Sequence, residues 1–218
     1  MKLALIGASG FVGAAVLQEA LNRGHQVTGI VQHPEKLATH IHLKAVKADA
    51  YNADALANVL KGHDAVVSAF NPGWDKADIL PLFLKGSAAI VAASKQAAVG
   101  RLLVVGGAGS LYVAPGLQLI DTPDFPAAYK NGAEGARQHL NQLREEQELR
   151  WTFLSPPALL QPGTRSGKYR VGGDELLMDG AAPAGISVED LAVAIVDELE
   201  QPKQVNKRFT VARESAAS

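Results

Sequence analysis

The glycine-rich stretch GASGFVG at residues 7–13 limits the folds open to this chain more than any other feature. The apolar run LALI at 3–6 comes directly before it and is typical of a buried strand. Residues 11–23 repeat apolar side chains on one helical face and end at Gly24, which tolerates a positive φ. This order predicts a strand, a tight turn and a helix in immediate succession.

The same alternation of a short apolar run and a helical pattern continues along the chain. Further strands are predicted at VTGIV (27–31), HLKAVKAD (42–49), AVVSAF (65–70), RLLVVGG (101–107), WTFLSPP (151–157) and RFTV (208–211). Helices are predicted at 53–60, 78–98, about 130–149 and from Ser187 onward. Buried strands that alternate with helices predict a parallel sheet covered on both faces, which is a doubly wound α/β fold.

The pattern changes after the WTFLSPP strand. The segment KYRVGGDELLM (168–178) predicts a β-hairpin whose turn is Gly172-Gly173. The helix that starts at Ser187 follows this hairpin. We expect the hairpin and this helix to form a small C-terminal lid over a substrate, within about residues 156–212.

Composition excludes several classes of function. The 218 residues suit one domain, over 1–212, with a flexible tail at 213–218. The chain has no cysteine, which excludes disulfides, thiolate zinc sites and a cysteine nucleophile, and which is typical of a reducing cytoplasm. Because 21 Lys and Arg balance 22 Asp and Glu without a basic stripe, we expect no nucleic-acid partner. We expect a cytoplasmic monomer or homodimer that acts on a small molecule.

Membrane insertion and metal binding are not expected either. Lys2 and the apolar run after it have the outline of a secretory signal, but Gly7 and Gly10 interrupt that run. No stretch offers about eighteen uninterrupted apolar residues for a membrane span. His40 and His42 share one face of a strand, but no third ligand is evident, so we expect no metal site.

The three glycines of GASGFVG fit a dinucleotide site. Gly7 would permit the tight turn, Gly10 would let the backbone approach a pyrophosphate, and Gly13 would let the helix pack close to the sheet. Free N–H groups and the helix dipole favour an anion at that helix N-terminus. A Walker phosphate loop is excluded because no Lys-Ser or Lys-Thr follows the glycines. A glycine turn without a ligand is the structural alternative.

The end of the second strand bears on the choice of coenzyme. An acidic residue there binds a ribose 2′-hydroxyl, whereas a cation accepts a 2′-phosphate. This chain offers Gln32 and His33, followed by Lys36. Because no carboxylate at position 32 repels a phosphate, we expect NADP(H) rather than NAD(H), although Glu35 keeps NAD(H) open.

Several motifs of the chain together resemble a known family. They are GASGFVG, KADA (47–50), AFNPG (69–73), VVGGAGSL (104–111), WTFLSPP and ISVEDLAVAIVDELE (186–200). The chain resembles the atypical short-chain dehydrogenase/reductases, in particular NmrA-like and NAD(P)H-flavin reductase (biliverdin reductase B-like) proteins. The resemblance covers residues 3–212 and implies a Rossmann fold that binds a nicotinamide coenzyme. Many relatives carry arginine where this chain has Gln32, which leaves the coenzyme choice open.

The resemblance also implies which residues hold the coenzyme. The loop matching Gly7–Val12 holds the pyrophosphate in that family, and the segment matching Asp49–Ala50 lines the adenine. The segments matching Ala69–Asn71, Gly106–Ser110 and Pro156–Ala158 run along the ribose and the nicotinamide. The implied cofactor-binding residues are Gly7, Ala8, Ser9, Gly10, Phe11, Val12, Gln32, His33, Lys36, Asp49, Ala50, Ala69, Phe70, Asn71, Gly106, Gly107, Pro156, Pro157 and Ala158.

The usual proton donor of the wider superfamily is missing. That donor is the tyrosine of a YxxxK pair, yet the residues four positions after Tyr51, Tyr112, Tyr129 and Tyr169 are Ala55, Gly116, Ala133 and Gly173. Hydride transfer to a flavin or quinone needs no protein acid, because the conjugated rings delocalise the incoming charge and water supplies protons. Ser110 is the polar candidate near the hydride. The candidates for lining the substrate are Trp74, Gly109, Leu111 and Tyr112.

These observations predict an NAD(P)H-dependent oxidoreductase that transfers a hydride to a flavin, FMN or FAD, or to a quinone-like acceptor. One alternative is a non-catalytic NAD(P)-sensing regulator, which the absence of an acid–base pair also permits. A second alternative is an NAD-dependent epimerase/dehydratase-like enzyme, which would need a proton donor and a larger substrate domain than the chain supplies.

Overall fold

The computed structural model describes residues 1–215, and residues 216–218 lie outside that range. Its strands are β1 (Lys2–Ile6), β2 (Gln26–Val31), β3 (Leu43–Lys47), β4 (Ala65–Ser68), β5 (Leu102–Val105), β6 (Tyr112–Ala114), β7 (Leu117–Gln118), β8 (Trp151–Ser155), β9 (Leu159–Gln161), β10 (Arg170–Gly172), β11 (Met178–Asp179), β12 (Ala182–Pro183), β13 (Gly185–Ser187) and β14 (Lys207–Ala212). Its α-helices are α1 (Phe11–Asn22), α2 (Ala53–Leu60), α3 (Ile79–Gln96), α4 (Ala127–Arg144) and α5 (Val188–Glu200).

Eight of the strands form one sheet in the order β10-β14-β8-β5-β4-β1-β2-β3. All neighbours in this sheet are parallel except β10 and β14. The chain first winds from β1 outward to β3 and then returns to β4 on the other side of β1. The doubly wound, Rossmann-type α/β fold is therefore confirmed, and its switch point lies between β1 and β4.

Helices cover both faces of the sheet. Successive strand residues point to opposite sides, so each strand contributes side chains to both layers of the core. Leu3 and Leu5 of β1 pack in the cluster that includes α1 and α5 side chains. Ala4 and Ile6 pack in the opposite cluster, which includes α2, α3 and α4 side chains such as Leu140. No helix among residues 1–215 combines the length and the apolar character that a membrane crossing requires.

The α4 helix is shifted toward the N-terminus relative to its prediction at about 130–149. It spans Ala127–Arg144 and starts directly after Pro126. It ends early because the Glu146 carboxylate accepts the amides of Glu148 and Leu149, at 2.7 and 3.2 Å, in a turn outside the helix. The shift brings residues 127–129 into the first turn of α4.

A C-terminal hairpin is present, but it lies later in the chain than predicted. It joins β11 to β12, with Gly180 at a φ of +62° in the turn. The residues predicted as the first hairpin strand instead pair with β14, with Val171 opposite Val211. Without β10, the N–H and C=O groups along one side of β14 would be unpaired at the edge of the sheet, and pairing with β10 satisfies them.

The α5 helix, expected to be part of a lid, packs against α1 on the sheet. Residues 213–215 have no regular structure. The rest of the predicted tail, 216–218, lies outside the described residues.

Candidate functional site

A cleft of about 1150 Å³ opens at the carboxyl ends of six parallel strands, β1, β2, β3, β4, β5 and β8. Its volume slightly exceeds the roughly 300–1,000 Å³ that is usual for small-molecule sites. The loops after these strands line it, together with the first turns of α4. The cleft thus lies at the switch point, where open α/β sheets bind their ligands.

The cleft brings together most residues predicted to bind the coenzyme. Those that line it are Gly7, Ser9, Gly10, Phe11, Val12, Gln32, His33, Lys36, Ala50, Ala69, Phe70, Asn71, Gly106, Gly107, Pro156, Pro157 and Ala158. Two others do not line it. Ala8 is completely buried under Gly29 of β2. The Asp49 carboxylate accepts the Tyr51 amide at 2.9 Å and closes a local turn.

The glycine loop is packed so closely that side chains do not fit in it. Gly7 has a φ of +80°, and a Cβ there would lie 2.6 Å from the Ala69 carbonyl oxygen. A Cβ on Gly13 would overlap the Gly7 carbonyl oxygen. The Gly10 amide donates to that same oxygen at 3.0 Å. These contacts hold the first turn of α1 directly against the end of β1.

The N-terminus of α1 is built to receive an anion. Its N-cap residue, Gly10, supplies no side-chain hydrogen bond, and the first turn carries no acidic residue. The first N–H groups of a helix have no partner within the helix, and two residues of this first turn, Phe11 and Val12, line the cleft. The dipole adds about half a positive charge at this end. A diphosphate fits this cradle, because backbone amides and not side chains fill it.

The end of β2 provides the polar side of the cleft. Gln32, His33 and Lys36 are exposed and line it. His33 Nδ1 lies 3.2 Å from Glu35 Oε1. A hydrogen bond from its own amide, then the contact with His33, lowers the pKa of the Glu35 carboxyl. Lys36 therefore offers a cation to a phosphate, while Glu35 engages His33.

An aromatic cluster forms the floor at the end of β4. The Phe70 ring meets Tyr51 edge-on with centroids 5.7 Å apart, and it lies 6.2 Å from the Phe83 ring. Gly86 of α3 has no side chain, which leaves room for the Phe70 ring. Burial raises the pKa of Tyr51, and the nearby Asp49 carboxylate adds to that shift. The floor is therefore apolar, and Tyr51 stays a neutral phenol.

The opposite wall of the cleft comes from two segments that are distant in sequence. Trp74, from the loop after β4, meets Tyr129, from the first turn of α4, edge to face with centroids 5.3 Å apart. Asn71 Oδ1 accepts the Gly73 amide at 2.8 Å and shapes the loop that carries Trp74. Asp124 and Phe125 line the cleft just before α4. This end is aromatic, with one carboxylate.

Three residues predicted near the substrate point elsewhere, because the short 3₁₀ helix Ala108–Ser110 turns the chain inward. Ser110 is 3% exposed, and its Oγ accepts a hydrogen bond from Arg208 at 3.2 Å. Leu111 is completely buried. Tyr112 starts β6 and exchanges backbone hydrogen bonds with the 174–176 segment. Of the four predicted substrate-lining residues, Trp74 and Gly109 line the cleft.

Sequence reasoning missed the contribution of the segment before and inside the start of α4. The lining residues from this segment are Leu119, Thr122, Asp124, Phe125, Pro126, Tyr129, Gly132, Ala133 and Ala136. Tyr129 and Lys130 look like an exposed pair at a helix start, which hides the role of the tyrosine. The signal that could have found this wall is the small residues at Gly132, Ala133 and Ala136, which repeat on one helical face.

No group of three His, Cys, Asp or Glu side chains that could hold a metal ion occurs within residues 1–215.

The doubly wound sheet, the glycine turn and the cleft at the switch point define a Rossmann-type nucleotide-binding protein. Residues 7–202 match the family described as NAD(P)H-binding, and the chain belongs to that family. The predicted family resemblance is confirmed, and the predicted nicotinamide coenzyme is confirmed at the level of NAD(P)H binding.

Known proteins are similar to this chain over its whole length. The uncharacterized protein YwnB of Bacillus subtilis is 40% identical, over 99% of this chain and 100% of its own. A crystal structure from Bacteroides thetaiotaomicron, provisionally named an epimerase, is 46% identical with a TM-score of 0.92, over 100% of this chain and 99% of that one. A structure from Streptococcus pneumoniae, provisionally named an NADH-flavin reductase, is 36% identical with a TM-score of 0.84. The match covers 98% of this chain and 100% of that one.

Proposed function

We propose that the protein is an NAD(P)H-dependent reductase that passes a hydride to a flavin or a quinone-like acceptor. The observation that carries the proposal is the division of one cleft into an amide-lined cradle and an aromatic wall. A cradle of free amides suits a diphosphate, and an aromatic wall suits a planar ring. The name of the Streptococcus pneumoniae relative agrees with this activity.

The residues of the chain would bind and orient the two reactants. The first turn of α1 would hold the coenzyme diphosphate, and Gly106 and Gly107 would let the nicotinamide lie close to the end of β5. Pro156 and Pro157 would cover the other side of that ring. When bound, the coenzyme supplies two electrons and one proton as hydride, water supplies a second proton to the acceptor, and NAD(P)⁺ is released.

The wall of the cleft carries no tyrosine–lysine acid. Tyr129 lines the cleft in the first turn of α4, and the residue one turn further along is Ala133 rather than lysine. Tyr51, on the floor of the cleft, is likewise followed by Ala55 at that spacing, so we expect a carbonyl that depends on a tyrosine–lysine donor to be a poor substrate. A conjugated acceptor requires only close stacking, for which orientation alone supplies most of the rate gain.

NADP(H) is the preferred coenzyme in this proposal. Lys36 lines the β2 side of the cleft, and no carboxylate lines it there. The segment 156–160 is the part of the proposed C-terminal lid that lies at the cleft.

The test mixes the purified protein with NADPH and, in separate reactions, riboflavin, FMN or menadione, and follows loss of the nicotinamide absorbance. We expect oxidation that saturates with both substrates and exceeds the rate without protein. Coenzyme binding without turnover of any acceptor would instead favour the NAD(P)-sensing regulator. Turnover of a nucleotide sugar would favour the epimerase-like alternative, which the name of the Bacteroides relative suggests.

A further inference from the structure

The end of the cleft formed by Trp74, Asp124 and Tyr129 is where the proposed acceptor would bind, and we call it the acceptor end. It presents two aromatic rings to solvent. The Trp74 side chain is 54% exposed and that of Tyr129 is 51% exposed, although the two rings are in contact. Gly132 of α4 makes this possible, because a Cβ there would lie 3.0 Å from Trp74 Cη2. The indole is thus fixed between a helix backbone and a neighbouring ring while much of its surface stays open. Such a surface suits a flat ring as its ligand.

Charges are distributed unequally along the cleft. Among the lining residues in the described range 1–215, Lys36 and Asp124 are the two that carry a formal charge. Lys36 lies after β2, whereas Asp124 lies just before α4, in the segment that connects β5 to α4. Because β1 and β4 separate β2 from β5, these sides of the cleft are about 14 Å apart at the usual strand spacing. Among the lining residues, the carboxylate is therefore at the acceptor end and the cation is at the other end.

The carboxylate of Asp124 is exposed at the edge of the cleft. No hydrogen bond or ion pair to it occurs in the part of the chain that is described. The nearby Arg137 instead pairs with Asp121 at 2.8 Å and with Glu134. The N-terminus of α4 contributes only about half a positive charge. The exposed Lys76 and Lys130 lie close in sequence to Trp74 and Tyr129, but neither lines the cleft. Asp124 is therefore the charged lining residue that an acceptor at this end would meet.

We propose, on the basis of the proposed reductase function, that this site selects uncharged planar acceptors and disfavours acceptors that carry a phosphate. Trp74 and Tyr129 would stack on the ring, and Asp124 would repel an anionic group attached to it. Riboflavin and FMN share one ring and differ by a phosphate. The hydride adds the same charge to both rings. The ratio of kcat/KM for riboflavin to kcat/KM for FMN therefore reports on the phosphate alone.

The kinetic test compares kcat/KM for riboflavin and FMN in the wild type, in Asp124→Asn and in Glu145→Gln. Glu145 is the matched control, because it lies at the C-cap of α4, about 25 Å along the helix from Asp124. We expect riboflavin to be favoured about fivefold at low ionic strength, as for like charges in a partly solvated cleft. The preference should disappear in Asp124→Asn and persist in Glu145→Gln.

A binding test without coenzyme uses the fluorescence of tryptophan. The chain has two tryptophans, and Trp151 is buried in β8 while Trp74 lies in the cleft. Riboflavin should quench the Trp74 emission at lower concentrations than FMN, after correction with free tryptophan, and Asp124→Asn should equalise the two flavins. In Trp74→Phe, the saturable part of the quenching should be lost. Trp151 stays unchanged in this variant, so the core is not altered.

The outcomes separate this inference from the reductase proposal. Equal responses to riboflavin and FMN in both tests, or a preference that survives Asp124→Asn, would overturn the inference. Selective quenching without oxidation of NADPH would support the inference and overturn the reductase function. Oxidation of NADPH without any preference between the flavins would support the reductase function and overturn the inference.

Discussion

The guanidinium of Arg208, on β14, donates a hydrogen bond to Ser110 Oγ at 3.2 Å. A second bond reaches Ser155 Oγ at 3.2 Å, and a third reaches the Ser110 carbonyl oxygen at 3.3 Å. The half-exposed Asp174 pairs with the same group at 2.7 Å. Burial lowers the pKa of Arg208, and Asp174 opposes that shift. One buried cation thus joins the turn after β5 to the end of β8, and both are next to segments that line the cleft.

Replacing Arg208 should destabilise the protein. Arg208→Met removes the donor and leaves buried oxygens of Ser110 and Ser155 without partners, which should lower the free energy of unfolding by about 2–3 kcal/mol. Arg213→Met is the control, because Arg213 pairs with Asp179 at the surface and should cost less than about 1 kcal/mol. Urea denaturation measures both. Equal losses in the two variants would contradict the role given to Arg208.

Ser110→Ala distinguishes a role at the reacting atoms from the packing role that the hydrogen bonds indicate. We expect the free energy of unfolding to fall by about 1 kcal/mol, for one lost hydrogen bond. A group that acts on the reacting atoms contributes a factor of about 10²–10⁴ to kcat. We expect Ser110→Ala to change kcat by far less than this. A hundredfold loss of kcat with unchanged NADPH affinity would show instead that Ser110 acts at the hydride.

His139 of α4 should make the protein sensitive to mild acid. Burial lowers the pKa of His139 to about 4, and its Nδ1 has no hydrogen-bond partner within residues 1–215. The unfolded chain binds its proton near pH 6.5. Stability is therefore complete above pH 6.5 and falls as the pH drops toward 4, by up to about 3 kcal/mol.

The measurement is the free energy of unfolding between pH 7.5 and pH 4.5, roughly the window in which the two states differ in bound protons. His139→Leu should be less sensitive to pH than the wild type. His40→Leu, a change at an exposed histidine, should keep the wild-type dependence. Equal slopes in all three proteins would show that protonation of His139 does not cause the loss of stability in acid.

Gln32→Arg tests the proposed preference for NADP(H). We expect the wild type to bind NADPH more tightly than NADH. Gln32→Arg should improve the NADPH dissociation constant about fivefold and leave NADH nearly unchanged, because a guanidinium pairs with the 2′-phosphate. Gln26→Arg, at the other end of β2, adds the same charge away from the cleft and serves as control. Equal wild-type affinities for the two coenzymes would refute the preference.

Much of the fold followed from local sequence patterns. β4 and β5 are buried on both faces, so their apolar runs identified them as interior strands. The glycine loop was predictable because its spacing reflects contacts within one strand–turn–helix unit. The partner of β10 was not predictable, since it depends on which edge of the sheet remains open once β8 and β14 have paired.

The aromatic wall of the candidate site was only half predictable. Trp74 follows a predicted strand, so its place at the carboxyl end of the sheet could be inferred. Tyr129 could not, because a helical pattern does not show which end of the helix reaches a cleft. Ser110 was expected near the hydride because the matching segment of the family runs along the nicotinamide, whereas here a 3₁₀ turn brings its hydroxyl to Arg208.

The central claim is that the amides after Gly7 hold the coenzyme diphosphate, and a paired glycine substitution tests it most directly. Gly7→Ala and Gly62→Ala impose the same backbone strain, at φ of +80° and +78°, but a Cβ meets Ala69 at the first site and open space at the second. Calorimetric titration with NADPH measures the affinity, and thermal melting checks that both variants are folded. We expect Gly62→Ala to bind as the wild type does and Gly7→Ala to bind at least about tenfold more weakly. Wild-type affinity in Gly7→Ala, or no binding of NADPH or NADH to the folded wild type, would contradict the account.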